Sequence, residues 1–546
     1  MSLKKSSEGG RKKKIIRLAL SALIAIGMVL PFWIRANAET ETAAATQVVR
    51  AADPSGSNTG TIADVTAKEK GKPTMEEMGN EIGHNKVAVN IMWTLLTGFL
   101  VFFMQAGFAM VETGFTRAKN VAHTMGMNLF VYAIGVLGFY LCGYAIMFGG
   151  VGALGTLGGF DGLNREIGMT LFGKEFGLFG GTGFLFNGAY DVAVLTMFLF
   201  QVVFMDAAAT IPTGAMAERW KFAAFCIFGF FVATIIYPVY GNWTWGGGWL
   251  ANLGKNFGLG HGHVDFAGST VVHMTGGVLA LVGAWLLGPR IGKYNADGSP
   301  NAIPGHNIPM AVIGTMILAF GWFGFNPGST LAGSDLRISV VAVNTMLASC
   351  TGAMAATLWM WLVRTKKPDV SMMCNGLLAG LVAVTGPSAF VSPGGAAIIG
   401  LVAGVLVVEG AFFVERKLKV DDPVGAVAVH GMNGAWGGIA LGLFADGTYG
   451  DGLNGVAGTV KGLFYGDPSQ LWAQLVGVGT NIIWVALTGI IVYKLIELMV
   501  GNRVSGATEY DGLDIGEMGT PGYSGIKLDK YAETPIARGF NGTASN

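Results

Sequence analysis

Charge is scarce in this chain. Only 13% of its 546 residues are Asp, Glu, Lys or Arg, about half the ~25% of a soluble domain. The 35 basic and 34 acidic residues leave a net charge of +1, so there is no basic field for nucleic acid and no acidic one for cationic partners. Cysteine is as sparse. Cys142, Cys226, Cys350 and Cys374 form no C-x-x-C and fall in or beside apolar runs, so neither a disulfide framework nor a zinc knuckle is indicated. Apolar residues and glycine take the place of charge. Hydrophobic residues make up 52% and 86 residues are Gly, about twice the usual ~7%; mean hydropathy is +0.52. This is the composition of a polytopic helical membrane protein whose helices pack through small residues. A soluble globular enzyme is excluded as the default.

The N-terminus carries a separate device. Lys4, Lys5 and Arg11–Lys14 precede an apolar run from Leu18 to Pro31, and Ala36-Asn37-Ala38 follows. Basic n-region, short apolar h-region and A-x-A site are the three parts of a secretory signal peptide. Residues 1–38 are therefore expected to be removed, leaving the mature N-terminus outside the membrane. Arg35, close to the cut, keeps a retained signal anchor as the alternative. Residues 39–85, rich in Ala, Thr, Glu and Lys, read as a loosely ordered extracytoplasmic lead-in.

From 86 to 500 the apolar windows are long enough to cross a hydrocarbon core of ~30 Å. They fall near 87–111, 124–150, 192–213, 220–240, 271–289, 308–327, 339–363, 371–387, 395–414, 427–445 and 470–500, which makes eleven. Loop charges give the spans a direction. Thirteen Lys and Arg, among them Arg117, Arg219, Arg290, Arg364, Arg416 and Arg503, follow odd-numbered windows; the other loops hold Arg165, Lys174, Lys255, Arg337 and Lys461. The positive-inside rule puts the N-terminus out and the tail, 501–546, in the cytoplasm. The signal peptide demands the same orientation.

Seven His occur, and two lie deep in apolar windows. The fifth window reads Asp265-Phe-Ala-Gly-Ser-Thr-Val-Val-His273 and the tenth Asp422-Pro-Val-Gly-Ala-Val-Ala-Val-His430, each with a Gly four residues beyond the His. The copies are an odd number of windows apart, so they cross in opposite directions. That parity predicts an all-α inverted-topology repeat of five plus five helices with one extra C-terminal helix. Pathways in such folds run at the repeat interface near the midplane, and an intramembrane His marks a pathway by default. Two other readings compete: core histidines satisfied by backbone carbonyls, and axial haem ligands on facing helices. Asp265 and Asp422, eight residues before each His, read as structural caps of helix starts.

Five motifs in order carry a family resemblance. GAMAER (Gly214–Arg219), WGGG (Trp245–Gly248), DFAGSTVVH (Asp265–His273), GWFGFNPGS (Gly321–Ser329) and DPVGAVAVHG (Asp422–Gly431) resemble the ammonium transporter family, the Amt/Rh/Mep group. Trp245 and Ser329 place the likeness in its Amt branch, and it runs from about residue 85 to about 515. The resemblance implies transport of ammonium or ammonia across the cell membrane by a homotrimer with one pore per subunit, without cofactor or enzymatic activity. It further implies that Phe200, Phe204, Trp245 and Ser329 form an outer recruitment site and gate, with Asp265 supporting it. Phe325 then matches a second gate ring, His273 and His430 a twin-histidine pore, and Trp322 a pore-lining residue towards the inside. The tail segment Glu509–Gly516 resembles one that packs beneath a neighbouring subunit and couples the pores. From Glu517 to Tyr523 the tail departs from the family's usual end, which puts in question how a PII-family signal protein would dock.

An ammonium ion is small, cationic and a four-way hydrogen-bond donor. Aromatic faces attract such a cation by ~0.5–2 kcal/mol each; Phe200 and Phe204, four apart, share one side of a helix; and Ser329 can accept an N–H that rings cannot. Carrying the bare ion through an apolar lumen costs far more than those contacts return. Ammonia has no charge to desolvate, and two neutral imidazoles can offer it a lone pair and an N–H. Deprotonation near the outer gate followed by ammonia passage is the expected mechanism, the proton either staying behind (a channel) or following along the pair (net charge movement), with methylammonium as a second substrate. A receptor that binds ammonium at Trp245 and Ser329 but conducts poorly is the alternative from another class, and a haem-binding redox protein a third.

Other features are set aside. His261, His263 and Asp265 form H-x-H-x-D without a fourth ligand and read as a polar loop, not a metal site. Glu112 and Asp206 read as structural acids hydrogen-bonded to each other, with a proton route as the alternative. His84, His123 and His306 fall near loops, and the Gly-rich loop 151–191 has no expected role.

Overall fold

The computed structural model describes residue 62, residues 65–448 and residues 458–524; the expected signal peptide lies outside them. Contacts divide the chain after Asn85, and the larger unit begins at Lys86. Each apolar window is occupied by helix: α1 Met75–Phe115, α2 Ala118–Phe148, α3 Val192–Ala215, α4 Phe222–Trp245, α5 Ser269–Leu287, α6 Ile308–Gly328, α7 Ile338–Arg364, α8 Val370–Thr385, α9 Pro393–Leu418, α10 at 427–444, and α11 Pro468–Met499. Among the described residues, nine of these are long and apolar enough to cross a membrane; α8 is shorter, and α10 joins Val427–Met432 to Asn433–Phe444.

Local chemistry sets where the helices begin. Asp191, Asn307, Asp369, Ser392 and Asp467 each accept a backbone N–H at the first turn of α3, α6, α8, α9 and α11, satisfying a donor the helix leaves orphaned. α1 starts well before its window. Thr74 N donates to Glu77 Oε2 (2.7 Å) and Glu77 N to Thr74 Oγ1 (3.2 Å), a reciprocal capping box. The polar residues around that T-x-x-E make the segment read as lead-in, yet its last turns are helical.

Glycine sets how closely the helices pack. A Cβ at Gly380 of α8 would lie 2.1 Å from the Ala348 carbonyl oxygen of α7, and one at Gly404 of α9 would lie 2.3 Å from that of Gly352. Backbones that close leave no room for a side chain, and such contact replaces the hydrophobic drive that lipid cannot supply.

The end of the bundle with the basic loops is held by a buried ionic cluster. Arg290 pairs with Glu218 (2.9 Å) and with Asp421 (2.8 Å), while Arg117 pairs with the other Glu218 oxygen. Arg219 spends its guanidinium on the carbonyls of Gly288 (2.8 Å), Ala217 (3.0 Å) and Asp421 (2.7 Å). Burial alone would raise the Asp421 and Glu218 carboxyls, but the neighbouring arginines hold both below their ordinary values. The tail docks on the same loops of its own chain: Asp514 accepts His123 N (2.9 Å), Glu517 accepts Phe222 N (2.9 Å), and Tyr523 hydroxyl meets the His306 ring (2.8 Å). At the opposite end, loop 151–191 folds into a hairpin, β1 Glu166–Leu171 antiparallel to β2 Lys174–Gly180.

Candidate functional site

The two D-x7-H segments fold alike. Asp265 accepts the N–H groups of Gly268 (3.1 Å), Ser269 (2.9 Å), Thr270 (2.7 Å) and Val271 (2.9 Å), and the Thr270 hydroxyl (2.6 Å). Asp422 accepts those of Gly425 (3.0 Å) and Val427 (2.8 Å). In both, the residue three after the Asp turns the chain at positive φ, +112° at Gly268 and +82° at Gly425, a conformation glycine adopts freely. Each helix then opens with a π-helical stretch, Ser269–Met274 or Val427–Met432, which contains the His. Such a stretch breaks the regular hydrogen-bond ladder. Asparagine amides take up carbonyls there: Asn481 donates to Thr270 O (3.1 Å) and Asn433 to Ala428 O (2.9 Å).

Glycine brings the two histidines together. A Cβ at Gly277, four after His273, would lie 2.1 Å from Gly431 N, and one at Gly434, four after His430, 2.5 Å from Ser269 O. α5 and α10 therefore cross backbone on backbone, and the His273 and His430 Nδ1 atoms stand 3.3 Å apart. The rings are 5.3 Å apart at 30°, and both residues are buried.

An aromatic line leads to them. Trp245, at the end of α4, donates its indole N–H to the Asp265 carbonyl oxygen (2.6 Å) and meets Phe204 edge-on at 6.3 Å. Phe200 lies 4.7 Å from Phe204, and Phe204 lies 4.0 Å from Phe325, leaving no opening between those rings. Beyond them His273 stacks on Phe325 at 5.3 Å and on Trp322 at 5.0 Å. Ser329 donates its hydroxyl to Phe325 O (2.8 Å), which leaves the oxygen lone pairs free to accept. The order along the line is Trp245, Phe204, Phe325, His273, His430.

Sequence reasoning missed several members. Phe108 of α1 lies 6.1 Å from His430, and nothing separates it from the other 33 Phe in the sequence. Thr385 accepts the Trp322 indole N–H (2.9 Å) and fixes that ring. Glu112 accepts from Asn128 (2.7 Å) and from Thr213 (2.7 and 2.9 Å). The expected mutual bond with Asp206 is therefore absent: Asp206 sits about two turns earlier on α3 than Thr213, and its buried Oδ1 has no hydrogen-bond partner among the described residues. Of the H-x-H-x-D residues, His263 and Asp265 meet at the Thr270 hydroxyl and His261 turns away. His261 reaches Thr459 O (3.1 Å), whereas His263 is buried against Thr270 Oγ1 (2.9 Å) and Tyr240 hydroxyl (3.3 Å). Burial holds the His263 imidazole below the ordinary histidine range, with Asp265 opposing.

A bundle of apolar helices with two opposed His-bearing segments sealed behind stacked aromatic rings is a multi-pass membrane protein with an internal polar site. The chain belongs to the Ammonium Transporter Family, whose model matches residues 92–523. It is 44% identical to ammonium transporter Amt2 of Archaeoglobus fulgidus over 87% of this chain and 95% of that protein. It is 38% identical to ammonium transporter Amt1 of Haloferax mediterranei over 81% of each. Among solved structures it resembles a sensor Amt protein, at TM-score 0.68 and 34% identity, covering 80% of this chain and 99% of that one. Candida albicans Mep2 is similar at TM-score 0.64 and 27% identity, with 77% and 86% covered.

Proposed function

We propose that this protein carries ammonium across the cell membrane by capturing the cation outside, removing a proton, and passing ammonia along the histidine pair. The observation that carries the reading is the pair itself. His273 and His430 face each other through Nδ1 at 3.3 Å, behind the closed Phe204–Phe325 stack. One Nδ1 must donate and the other accept, so one Nε2 is left as an acceptor and the other as a donor. Ammonia, which both accepts and donates, matches that inventory, and a proton moved across the pair exchanges the roles. Trp245, Phe200, Phe204 and Ser329 form the capture site, Asp265 supports it through its carbonyl bond to the Trp245 indole, and Trp322 lines the inner path. The protein crosses the membrane eleven times with its N-terminus out and its tail in, and works as a homotrimer; a PII-family protein at the cytoplasmic face is a further proposed partner.

In proteoliposomes, ammonium and methylammonium should evoke current and potassium little, because potassium has no proton to lose. Potassium currents as large as those of ammonium would overturn the mechanism. A second reading, an ammonium receptor, is favoured by the likeness to a sensor Amt protein. Saturable ammonium binding with neither current nor ammonia flux would establish it instead.

A further inference from the structure

We propose that the hairpin β1–β2 braces the outer capture loop, and that Glu166 is the positioning residue through which it holds Trp245. The inference rests on the reading of Trp245 as part of the capture site. Trp245 ends its helix and is followed by three glycines, Gly247 among them at φ +88°. Glycine loses the most conformational freedom on ordering, so this turn does not hold the indole by its own stiffness.

Asn242 sets the turn. Its carbonyl oxygen accepts both Gly246 N (2.9 Å) and Gly248 N (3.0 Å), and its side-chain amide spends its two protons on Met147 O (3.2 Å) and Glu166 Oε2 (3.1 Å). The hairpin meets the same loop at three further points: Trp249 N donates to Gly177 O (3.0 Å), Trp243 Nε1 to Leu178 O (3.0 Å) and Asn256 Nδ2 to Glu175 O (2.8 Å). Those three acceptors are backbone carbonyls. Glu166 supplies the bond made by a hairpin side chain, while the strand irregularity at Ile167 and Gly168 leaves Leu178 of β2 as the extra, unpaired residue, whose carbonyl takes the Trp243 indole. Close approach completes the joint, since a Cβ at Gly177 would lie 2.8 Å from Glu166 Oε1 and 3.1 Å from Gly248 Cα. Glu166 Oε1 is sealed without a hydrogen-bond partner among the described residues, and burial pushes the carboxyl up to about 7. An acidic group kept at that cost calls for a reason; the brace supplies one.

The test compares wild type with Glu166→Ala, Glu166→Gln and Asn256→Ala. Ammonium dependence of current in proteoliposomes is read beside hydrogen–deuterium exchange of the Gly246, Gly248 and Trp249 amides in the same preparations. Glu166→Ala should raise the half-saturating ammonium concentration about three- to tenfold, the loss of roughly one hydrogen bond, leave the saturating current largely intact, and speed exchange at the three amides. Glu166→Gln, whose amide oxygen still accepts from Asn242, should restore both. Unchanged half-saturation and exchange in the Ala variant, or equal losses in Ala and Gln, would overturn the proposal. If Glu166→Ala fails to assemble, Asn256→Ala, which loosens the hairpin elsewhere, must give the same rise, and no rise overturns it. If wild type carries neither current nor ammonia flux, the transport reading fails by itself, and the exchange measurement alone decides the brace.

Discussion

At the scale of single residues, the capture site and the histidine pair make separable demands. Trp245→Leu removes an aromatic face and Ser329→Ala an acceptor whose lone pairs are free. Each should cost about 0.5–2 kcal/mol of cation binding, roughly a two- to thirtyfold rise in the ammonium concentration needed for current. Wild-type concentration dependence in a well-folded double mutant would place the site elsewhere. The histidines act later. His273→Asp or His430→Asp keeps a polar group but changes its charge and its donor inventory, so transport should be blocked or potassium admitted. The double Ala variant should lose proton-coupled current, while ammonia permeation survives. Current recordings, with internal pH read as the measure of ammonia flux, on preparations checked by size-exclusion chromatography decide this. Ammonium current of unchanged selectivity in all three would make the pair core packing.

At the scale of helices, the crossing of α5 and α10 is set by two glycines. At Gly277 a methyl would meet the Gly431 backbone nitrogen at 2.1 Å, an atom that cannot swing aside as a side chain can. Gly277→Ala should therefore push the helices apart, cost about 1–3 kcal/mol, and separate the imidazoles it was holding in contact. Gly479→Ala on α11, where a Cβ meets nothing within 4 Å, is the matched control and should be neutral or stabilising by about 0.5–1 kcal/mol. Thermal unfolding of the two variants, read with their ammonium currents, tests the difference; equal behaviour would mean that the crossing is not what positions the histidines.

At the scale of the whole molecule, the buried cluster of Arg117, Glu218, Arg290 and Asp421 ties together loops far apart in sequence. Glu218 takes a left-handed backbone, φ +72°, which a non-glycine residue keeps only where its surroundings over-determine it; the two arginines on its carboxylate do so. Glu218 and Asp421 are both held below their ordinary values. Their contribution is therefore present above the unfolded carboxylate range, near pH 4, and is lost as pH falls through the lower folded values. Thermal stability should drop as the protein is acidified below about pH 4. Arg290→Met leaves both carboxylates short of a partner and should cost about 3–5 kcal/mol; burial then raises the carboxyls, so the loss of stability on acidification should shrink. A melting profile against pH that matches wild type would show that the cluster does not stabilise the fold.

Where the helices lie was legible in the sequence, because a run of some twenty apolar residues has few ways to satisfy its backbone outside a helix in lipid. The twofold Asp-x7-His pattern likewise pointed to His273 and His430 as a pair, since each copy carries its own cap, its turn glycine and its crossing glycine within a dozen residues. Period and spacing stop at the edge of one element. They cannot report helix rotation, and rotation is what brings Phe108 to His430, hands Glu112 to Thr213 instead of Asp206, and turns the Glu-Arg of the GAMAER motif into part of an ionic clamp. The hairpin was invisible for a related reason: its ties to the Trp243–Trp249 loop run mostly through backbone carbonyls, which every residue carries alike. The sequence by itself determined which segments become helices and where each histidine stands along its own; the tertiary structure decided what each faces, because contact between distant residues depends on how close two backbones come.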